Sequence, residues 1–418
     1  MSVMDIIKSF REQPCPCGRV HDTAVRDVRI GSGLVHEVGS ILRESGFSNN
    51  ILLVADKDTL KASEGIVESL CGFNVEYKIY DEIRVAEMSH VDELCDMIRG
   101  RDISVLSVGT GSVNDPCRLA AARENKMLCI FGTAPSMDGF ASYSSPIVDG
   151  YFKASYPAKS PEVIIGDTRI LAKSPVYLKA AGFGDMIAKY VGLIDWQISA
   201  LVSGEYYCDR IAALTREGVD SLMEMADRVK LDDEETAGMI FESLLMTGLG
   251  MSFSQNSRPA SGSEHIVAHL IECFELIEGK TPNYHGEDVG VCTLEVLKLY
   301  NALAERESIE AVSPALDWDH IYEVFGPMAD DVRKLNTPKT VTDEVDPGVL
   351  MESWGKIRDI IHSVPSYEEC LEKMKIAGCK LTLEDIGKSR ELFDKCMQYS
   401  PYMRYRLTLL RLLDMILI

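Results

Sequence analysis

Four side chains in the second half of the chain have the types and spacing to hold a metal ion and to work beside it. Asp185 belongs to Ala-Gly-Phe-Gly-Asp (181–185), which reads as a glycine-bracketed turn at a helix start. His265 and His269 lie in Ser-Gly-Ser-Glu-His-Ile-Val-Ala-His (261–269), four residues apart and therefore on one helical face. His285 opens His-Gly-Glu-Asp-Val-Gly (285–290) at another predicted helix start. The chain has 8 histidines, and these three fall close together. One carboxylate and two imidazoles suit a divalent ion and leave coordination positions open, as a catalytic site requires. Asp185, His265 and His285 are the proposed ligands, with His269 facing the substrate. By spacing alone His265 and His269 could exchange these parts, and two exposed side chains on a helix would show the same interval.

A second pattern fits phosphate. Gly109-Thr-Gly-Ser-Val-Asn-Asp115 follows an apolar run and precedes the helical stretch Arg118–Glu124. Glycines there let the backbone approach a pyrophosphate whose charge rests on the helix N-terminus. Many strand-to-helix turns carry glycine for steric reasons alone, so the context matters. Thr133-Ala-Pro-Ser136 ends the next apolar run, and ligands of parallel sheets bind at the carboxyl ends of strands. Ser112, Asn114, Thr133 and Ser136 could present donors along that edge. Asp56 ends the first strong run, where a carboxylate either meets ribose hydroxyls or caps the helix beginning near Thr59. GxGxxG is missing from this first turn, so the arrangement is not the ordinary Rossmann one. Cys15-Pro-Cys17 with His21 offers three more metal donors, but no matching cysteine pair lies nearby, and a surface turn is the expectation. The acidic run Asp232–Glu235 reads as a solvated helix start.

The elements that must position these residues change rhythm along the chain. From about Val25 to Thr168, short apolar runs alternate with helical stretches: Ile51–Ala55, Val75–Tyr80, Ile103–Val108, Met127–Phe131 and Val163–Ile165 are candidate strands. That spacing predicts a parallel sheet covered on both faces. From about Ser174 the strand signal stops and apolar residues recur at helical intervals, as in Ile187, Tyr190, Val191, Ile194 and Ile198. Helices are expected over Asp209–Val229, Glu234–Phe253, Ser263–Leu276, Asp288–Ala304, Pro327–Lys334, Gly348–Ser363, Tyr367–Lys375 and Leu383–Met397. The layout is an α/β dinucleotide-binding domain over 1–173, then an all-helical metal and substrate domain over 174–418, with a cleft between them.

Composition narrows the function classes. The chain has 418 residues, 46% hydrophobic, with 43 Lys plus Arg against 65 Asp plus Glu, a formal charge of −22. That balance repels nucleic acid, yet a few donors in one cleft can still bind a small phosphorylated substrate. The start lacks the basic region and apolar run of a signal peptide. Arg404, Arg406, Arg411 and Asp414 interrupt the apolar end Tyr402–Ile418, which predicts a docked helix rather than a membrane span. The 12 cysteines follow no regular framework, as expected of reduced thiols in the cytoplasm.

Together these segments resemble the sn-glycerol-1-phosphate dehydrogenase family, especially its bacterial AraM-like branch, within the superfamily of dehydroquinate synthase and the iron-containing alcohol dehydrogenases. The resemblance runs through Gly31–Gly46, Val54–Thr59, Gly109–Asp115, Thr133–Ser142, Gly182–Trp196, Arg258–His269 and His285–Gly290, and is most specific at Thr133-Ala-Pro-Ser-Met-Asp-Gly139. It implies a dehydroquinate synthase-like fold and metal-dependent, reversible hydride transfer between NAD(H), with NADP(H) as the alternative, and the dihydroxyacetone phosphate/glycerol 1-phosphate pair. It further implies NAD contacts at Asp56, at Gly111, Ser112, Val113, Asn114 and Asp115, at Thr133, Ala134, Pro135 and Ser136, and at Ser142. Asp138 matches a substrate-binding aspartate, Asp185 a position that meets both metal and substrate, His265 and His285 the other ligands, and His269 a substrate contact. Zinc or nickel is expected ahead of iron, and a homodimer or larger homo-oligomer is expected. Thr110 stands where many relatives have glycine, which is tolerable without a positive φ, and Glu278–Asn283 reads as an insertion between the two histidine ligands. Lys189 stands where iron-containing alcohol dehydrogenases carry a further histidine ligand, and Asp185 where dehydroquinate synthases carry glutamate. Competing readings are another polyol dehydrogenase or an NAD-using cyclase of the superfamily, and a non-catalytic nucleotide-binding protein.

Overall fold

The computed structural model describes residues 2–417. The strands of its first half are β1 (Asp27–Gly31), β2 (Asn50–Asp56), β3 (Asn74–Tyr80), β4 (Ser104–Gly109), β5 (Leu128–Gly132), β6 (Ser144–Asp149), β7 (Phe152–Pro157) and β8 (Val163–Asp167). Six of them form an all-parallel sheet in the order β1-β8-β5-β4-β2-β3, while β6 and β7 make a separate antiparallel hairpin. β2 has β3 on one side and β4 on the other, so the winding reverses between β2 and β4. Open α/β sheets bind ligands outside the carboxyl ends at such a reversal. Asp56 ends β2 and Gly109 ends β4.

Helices α1 (Val3–Glu12), α2 (Val38–Glu44), α3 (Lys57–Ala62), α4 (Ile66–Ser69), α5 (Met88–Ile98), α6 (Gly111–Arg123) and α7 (Thr168–Ala172) accompany the strands. Alternate strand residues point to opposite faces. Ile51, Leu53 and Ala55 therefore pack with Val38, Ile41 and Leu42 of α2, while Leu52 and Val54 face the cluster holding Val91 and Leu94 of α5.

The remaining chain is helical: α8 (Val176–Ile187), α9 (Lys189–Ser203), α10 (Asp209–Glu224), α11 (Glu234–Ser254), α12 (Ser263–Ile277), α13 (His285–Ala304), α14 (Trp318–Phe325), α15 (Ala329–Asn336), α16 (Pro347–His362), α17 (Tyr367–Ala377) and α18 (Arg390–Tyr399). The α/β half followed by a helical half is the fold class read from the sequence. The two halves share a core, because Phe241, Leu245, Leu249 and Phe253 of α11 join the cluster of Ile130 and Ile164 on the sheet.

Several expectations need correction. The phosphate-type turn is shorter than read, since α6 starts at Gly111 and its polar first turns had masked the helix. Ala181–Asp185 is no helix start but lies inside α8. The C-terminal end is not one helix. A 3-10 turn (Ser400–Met403), an extended Arg404 and a single helical turn (Leu409–Leu412) lead to Ile416–Leu417, which pairs with Glu310–Ala311. Arg404 and Arg406 hold that stretch extended by donating to the carbonyls of Lys153 and Ser261. Among the described residues no helix is long and apolar enough to cross a membrane.

Candidate active site

The glycines around Asp185 explain its position. A Cβ on Gly184 would stand 2.5 Å from the carbonyl oxygen of Gly286, and one on Gly286 would stand 1.9 Å from that of Ala181. Only glycine lets α8 and α13 meet backbone to backbone, and that contact sets Asp185 against His285 at the start of α13. α12 brings its first turn to the same point. Donor atoms of Asp185, His265 and His285 all lie within 4.8 Å of one another. Of the two imidazoles that spacing left open, His265 meets the carboxylate, with Nε2 3.3 Å from Asp185 Oδ1. His269, one turn on, stacks its ring on His285 at 5.4 Å between centroids.

Three further groups complete this buried cluster. Lys189 Nζ lies 2.7 Å from both Asp185 Oδ1 and Asp138 Oδ2. Asp138 donates its backbone N–H to Asp185 Oδ2 at 2.9 Å. Glu264 Oε1 stands 2.6 Å from His265 Nδ1, and its Oε2 is buried without a partner. Asp138 and Asp185 thus share one ammonium while Glu264 backs the His265 imidazole, so the buried carboxylates outnumber the lysine. Buried charge at this density requires compensation, which one divalent cation provides. The donor set and its charge fit such an ion.

Electrostatics separate the histidines. Burial, reinforced by Lys153, holds both His269 and His285 well below the ordinary histidine value, so both are neutral near pH 7. Burial and Lys189 also push His265 down, but its bonds to Asp185 and Glu264 outweigh them and raise it. Burial pushes the Asp185 carboxyl up, yet Lys189 and the histidines hold it far below the usual range. Asp138 is raised, by burial first and then by Asp185.

One cleft joins this cluster to the sheet edge. Gly111, Ser112, Asp115, Ser136, Asp138, Ser142, His265, His269 and His285 all line it, and Asp185 lies fully buried beneath. Thr110 is extended at φ −122°, so it tolerates its side chain. Elsewhere the sequence-derived residues sit outside the lining. Val113 and Ala134 are in the core, and Asn114 accepts from Ser107 at 2.6 Å. Thr133 donates its N–H to the Gly109 carbonyl, and the Pro135 carbonyl packs on Gly182. Asp56 caps α3, accepting from the Thr59 N–H at 2.8 Å. Asp115 pairs with the buried Arg118 at 2.5 Å, and burial still raises its carboxyl to about 6.

A family model described as iron-containing alcohol dehydrogenase matches residues 29–175. A Halalkalibacterium halodurans protein named glycerol-1-phosphate dehydrogenase (NAD(P)+) is 30% identical over 374 residues, covering 86% of this chain and 91% of its own. A protein of the same name from Methanothermobacter thermautotrophicus is 31% identical, over 78% and 87% of the two chains. The chain belongs to the glycerol-1-phosphate dehydrogenase family. Among solved structures, a probable glycerol dehydrogenase from Sinorhizobium meliloti 1021 superposes with a TM-score of 0.62 at 15% identity, covering 90% of this chain and 89% of its own, which establishes the shared fold.

Within this family member, sequence reasoning missed Glu264, Lys153 and the part played by Lys189. Lys153 lines the cleft from β7 and pairs with Glu272 at 2.6 Å. It sits in a hairpin whose strands carry no clear alternation. Lys189 was legible, since i, i+4 from Asp185 places it on the same face. Glu264 gives no spacing signal at all.

Proposed function

We propose that the protein catalyses reversible, NAD(P)-dependent hydride transfer converting dihydroxyacetone phosphate to sn-glycerol 1-phosphate, with Asp185, His265 and His285 holding a divalent metal. One observation carries this reading: the carboxylate–imidazole cluster and the free N-terminus of α6 open into a single cleft. When bound, the ion supplies Lewis acidity at the substrate oxygen and the reduced nicotinamide supplies the hydride.

The chain's own residues do the rest. The first N–H groups of α6, at Gly111 and Ser112, have no partners within the helix and receive the dinucleotide phosphates. A Cβ on Gly111 would meet only the Met137 side chain, at 3.5 Å, so the protein's own packing does not demand glycine there and a close-lying ligand does. Asp56 spends Oδ1 on its cap, which leaves Oδ2 for a ribose hydroxyl. Asp138, fixed by Lys189, accepts from a substrate hydroxyl. Neutral His269 holds or passes the proton that accompanies hydride transfer. Arg84 and Lys153 line the cleft and offer charge to the substrate phosphate. Among the described residues none of the 12 cysteines is in a disulfide, which suits a reducing cytoplasm.

The test is NADH and NADPH oxidation with dihydroxyacetone phosphate, before and after chelation and with zinc, nickel and iron restored separately. Metal-dependent turnover of this ketone over unphosphorylated analogues is the expected result. Turnover of a different ketone alone, or none after metal restoration, overturns the assignment. His269→Asn is expected to keep the metal and lose turnover by about 10²-fold or more.

A further inference from the structure

Away from the cleft, the amino-terminal Cys15-Pro-Cys17 and His21 are not the bare surface turn that the sequence suggested. The fold delivers a fourth donor, Cys208, from 187 residues beyond His21, at the position preceding α10. Cys15 Sγ lies 3.5 Å from Cys208 Sγ, Cys17 Sγ lies 3.2 Å from His21 Nε2, and Cys208 Sγ lies 3.7 Å from the same nitrogen. All four donor atoms fall within 4.8 Å of one another. None of these residues lines the cleft or belongs to the Asp185 cluster.

The spacing has the dimensions of a coordination shell. Tetrahedral zinc, with Zn–S about 2.3 Å and Zn–N about 2.0–2.1 Å, sets its ligand atoms about 3.5–3.8 Å apart. A disulfide would need its sulfurs about 2.05 Å apart, and all four groups converge where a disulfide would use two. Outer contacts orient the ligands as metal sites require. His21 Nδ1 lies 3.0 Å from the Phe253 carbonyl, which can only accept, so the proton sits on Nδ1 and the Nε2 lone pair faces the three sulfurs. The Tyr206 hydroxyl lies 3.4 Å from Cys17 Sγ, and the Gly18 N–H closes a tight turn on the Cys15 carbonyl at 3.0 Å. His21 and Cys208 are each 1% exposed, while Cys15 and Cys17 are half-buried.

We propose that Cys15, Cys17, His21 and Cys208 bind a structural zinc ion, four-coordinate and without an open position. Three thiolates and one imidazole select zinc over hard cations, and the thiol protons leave as the ion binds. The ion rivets the two halves together. It ties the segment that links α1 to β1 onto the start of α10, and through His21 onto the carbonyl end of α11. Phe10 of α1 stacks on Phe253 at 4.3 Å beside it, and Arg210 of α10 lies over the Phe10 ring at 4.1 Å. The chain after α11 carries Ser257 and Ser261 into the cleft wall and then forms α12 with His265 and His269.

Metal analysis of the full chain, purified under reducing conditions with zinc, tests this. His265→Ala, which disables the active-site cluster, is expected to retain one zinc per chain, and adding Cys208→Ser is expected to reduce it to none. Cobalt substitution of the unmutated protein gives a readout that survives a misfolded variant. The active-site donors include no sulfur, so thiolate-to-cobalt charge-transfer absorption reports this site alone. No zinc in His265→Ala together with no charge-transfer band overturns the proposal, as does a Cys15–Cys208 disulfide in the protein purified under reducing conditions.

Discussion

Lys189 donates to Asp185 Oδ1 at 2.7 Å from one helical turn away, and neither side chain has any solvent exposure. The same ammonium stands 2.7 Å from Asp138 Oδ2, so one cation sets the distance between two carboxylates with different proposed tasks. Lys189→Met keeps the volume and removes the charge. The ion then has no competitor for Asp185, while Asp138 loses its anchor. The expected outcome is one retained active-site metal with kcat/KM lowered by about 10²–10³-fold, the usual scale for removing one preorganised electrostatic contact. Metal analysis and steady-state kinetics check it. A variant within threefold of the parent rate would show that Lys189 only neutralises charge.

Glu264 stands behind one of the proposed metal ligands. Its Oε1 meets His265 Nδ1 at 2.6 Å and accepts from the Gly262 N–H at 2.9 Å. A carboxylate behind a ligating imidazole fixes the tautomer and raises its basicity, and losing it commonly costs 10–100-fold in metal affinity. Glu264→Gln keeps the acceptor and drops the charge. Competition with a chelator is expected to show affinity weaker by about that factor, while the thermal stability of chelated protein does not fall. Equal affinities would remove Glu264 from the site.

The legible parts of the molecule were those set by short-range pattern. Buried parallel strands are near-continuous apolar runs, so Ile51–Ala55 and Ile103–Val108 stood out. The proposed ligand trio, whose donor atoms the fold brings within 4.8 Å of one another, was readable because Asp185, His265 and His285 are of ligating types in glycine-marked segments. What escaped depends on distant partners. Cys208 joins Cys15 only through the docking of α10, and Lys153 reaches the histidines only because the β6–β7 hairpin folds over them. The start of α6 was hidden differently, since Gly-Ser-Val-Asn-Asp-Pro (111–116) is polar and breaker-rich yet helical, its Asn114 and Asp115 satisfied by Ser107 and Arg118.

Two glycines separate ligand space from packing space. A Cβ at Gly111 meets nothing closer than Met137 at 3.5 Å, an ordinary contact, whereas a Cβ at Gly286 collides with the Ala181 carbonyl at 1.9 Å. Gly111→Ala is therefore expected to leave the melting temperature nearly unchanged and to raise KM for the dinucleotide by tenfold or more. Gly286→Ala is expected to destabilise the protein by several kcal/mol, as a rigid backbone clash does, and to lower metal content with it. Thermal melts beside nucleotide titrations check both. An unchanged nucleotide KM in Gly111→Ala would move the phosphates off α6.

Asp288 gives the protein a pH dependence of stability. It is buried, accepts from Asn283 Nδ2 at 2.8 Å, and lies 3.8 Å from Lys388 Nζ, which pairs more closely with Glu275. Burial therefore wins over the shared ammonium and pushes its carboxyl up to about 7. In the unfolded chain the same group titrates near 4. Between these values the native state holds a proton that the unfolded state has released, so unfolding becomes easier as pH rises through the window. Asp288→Asn removes the titration and preserves the acceptor for Asn283. Relative to the parent, the variant is expected to gain stability from pH 4 to pH 7, by up to about 4 kcal/mol from the size of the shift, and to hold that gain above pH 7. Urea unfolding at intervals across this range checks it, and parallel pH profiles for the two proteins would show that Lys388 keeps Asp288 charged in the native state.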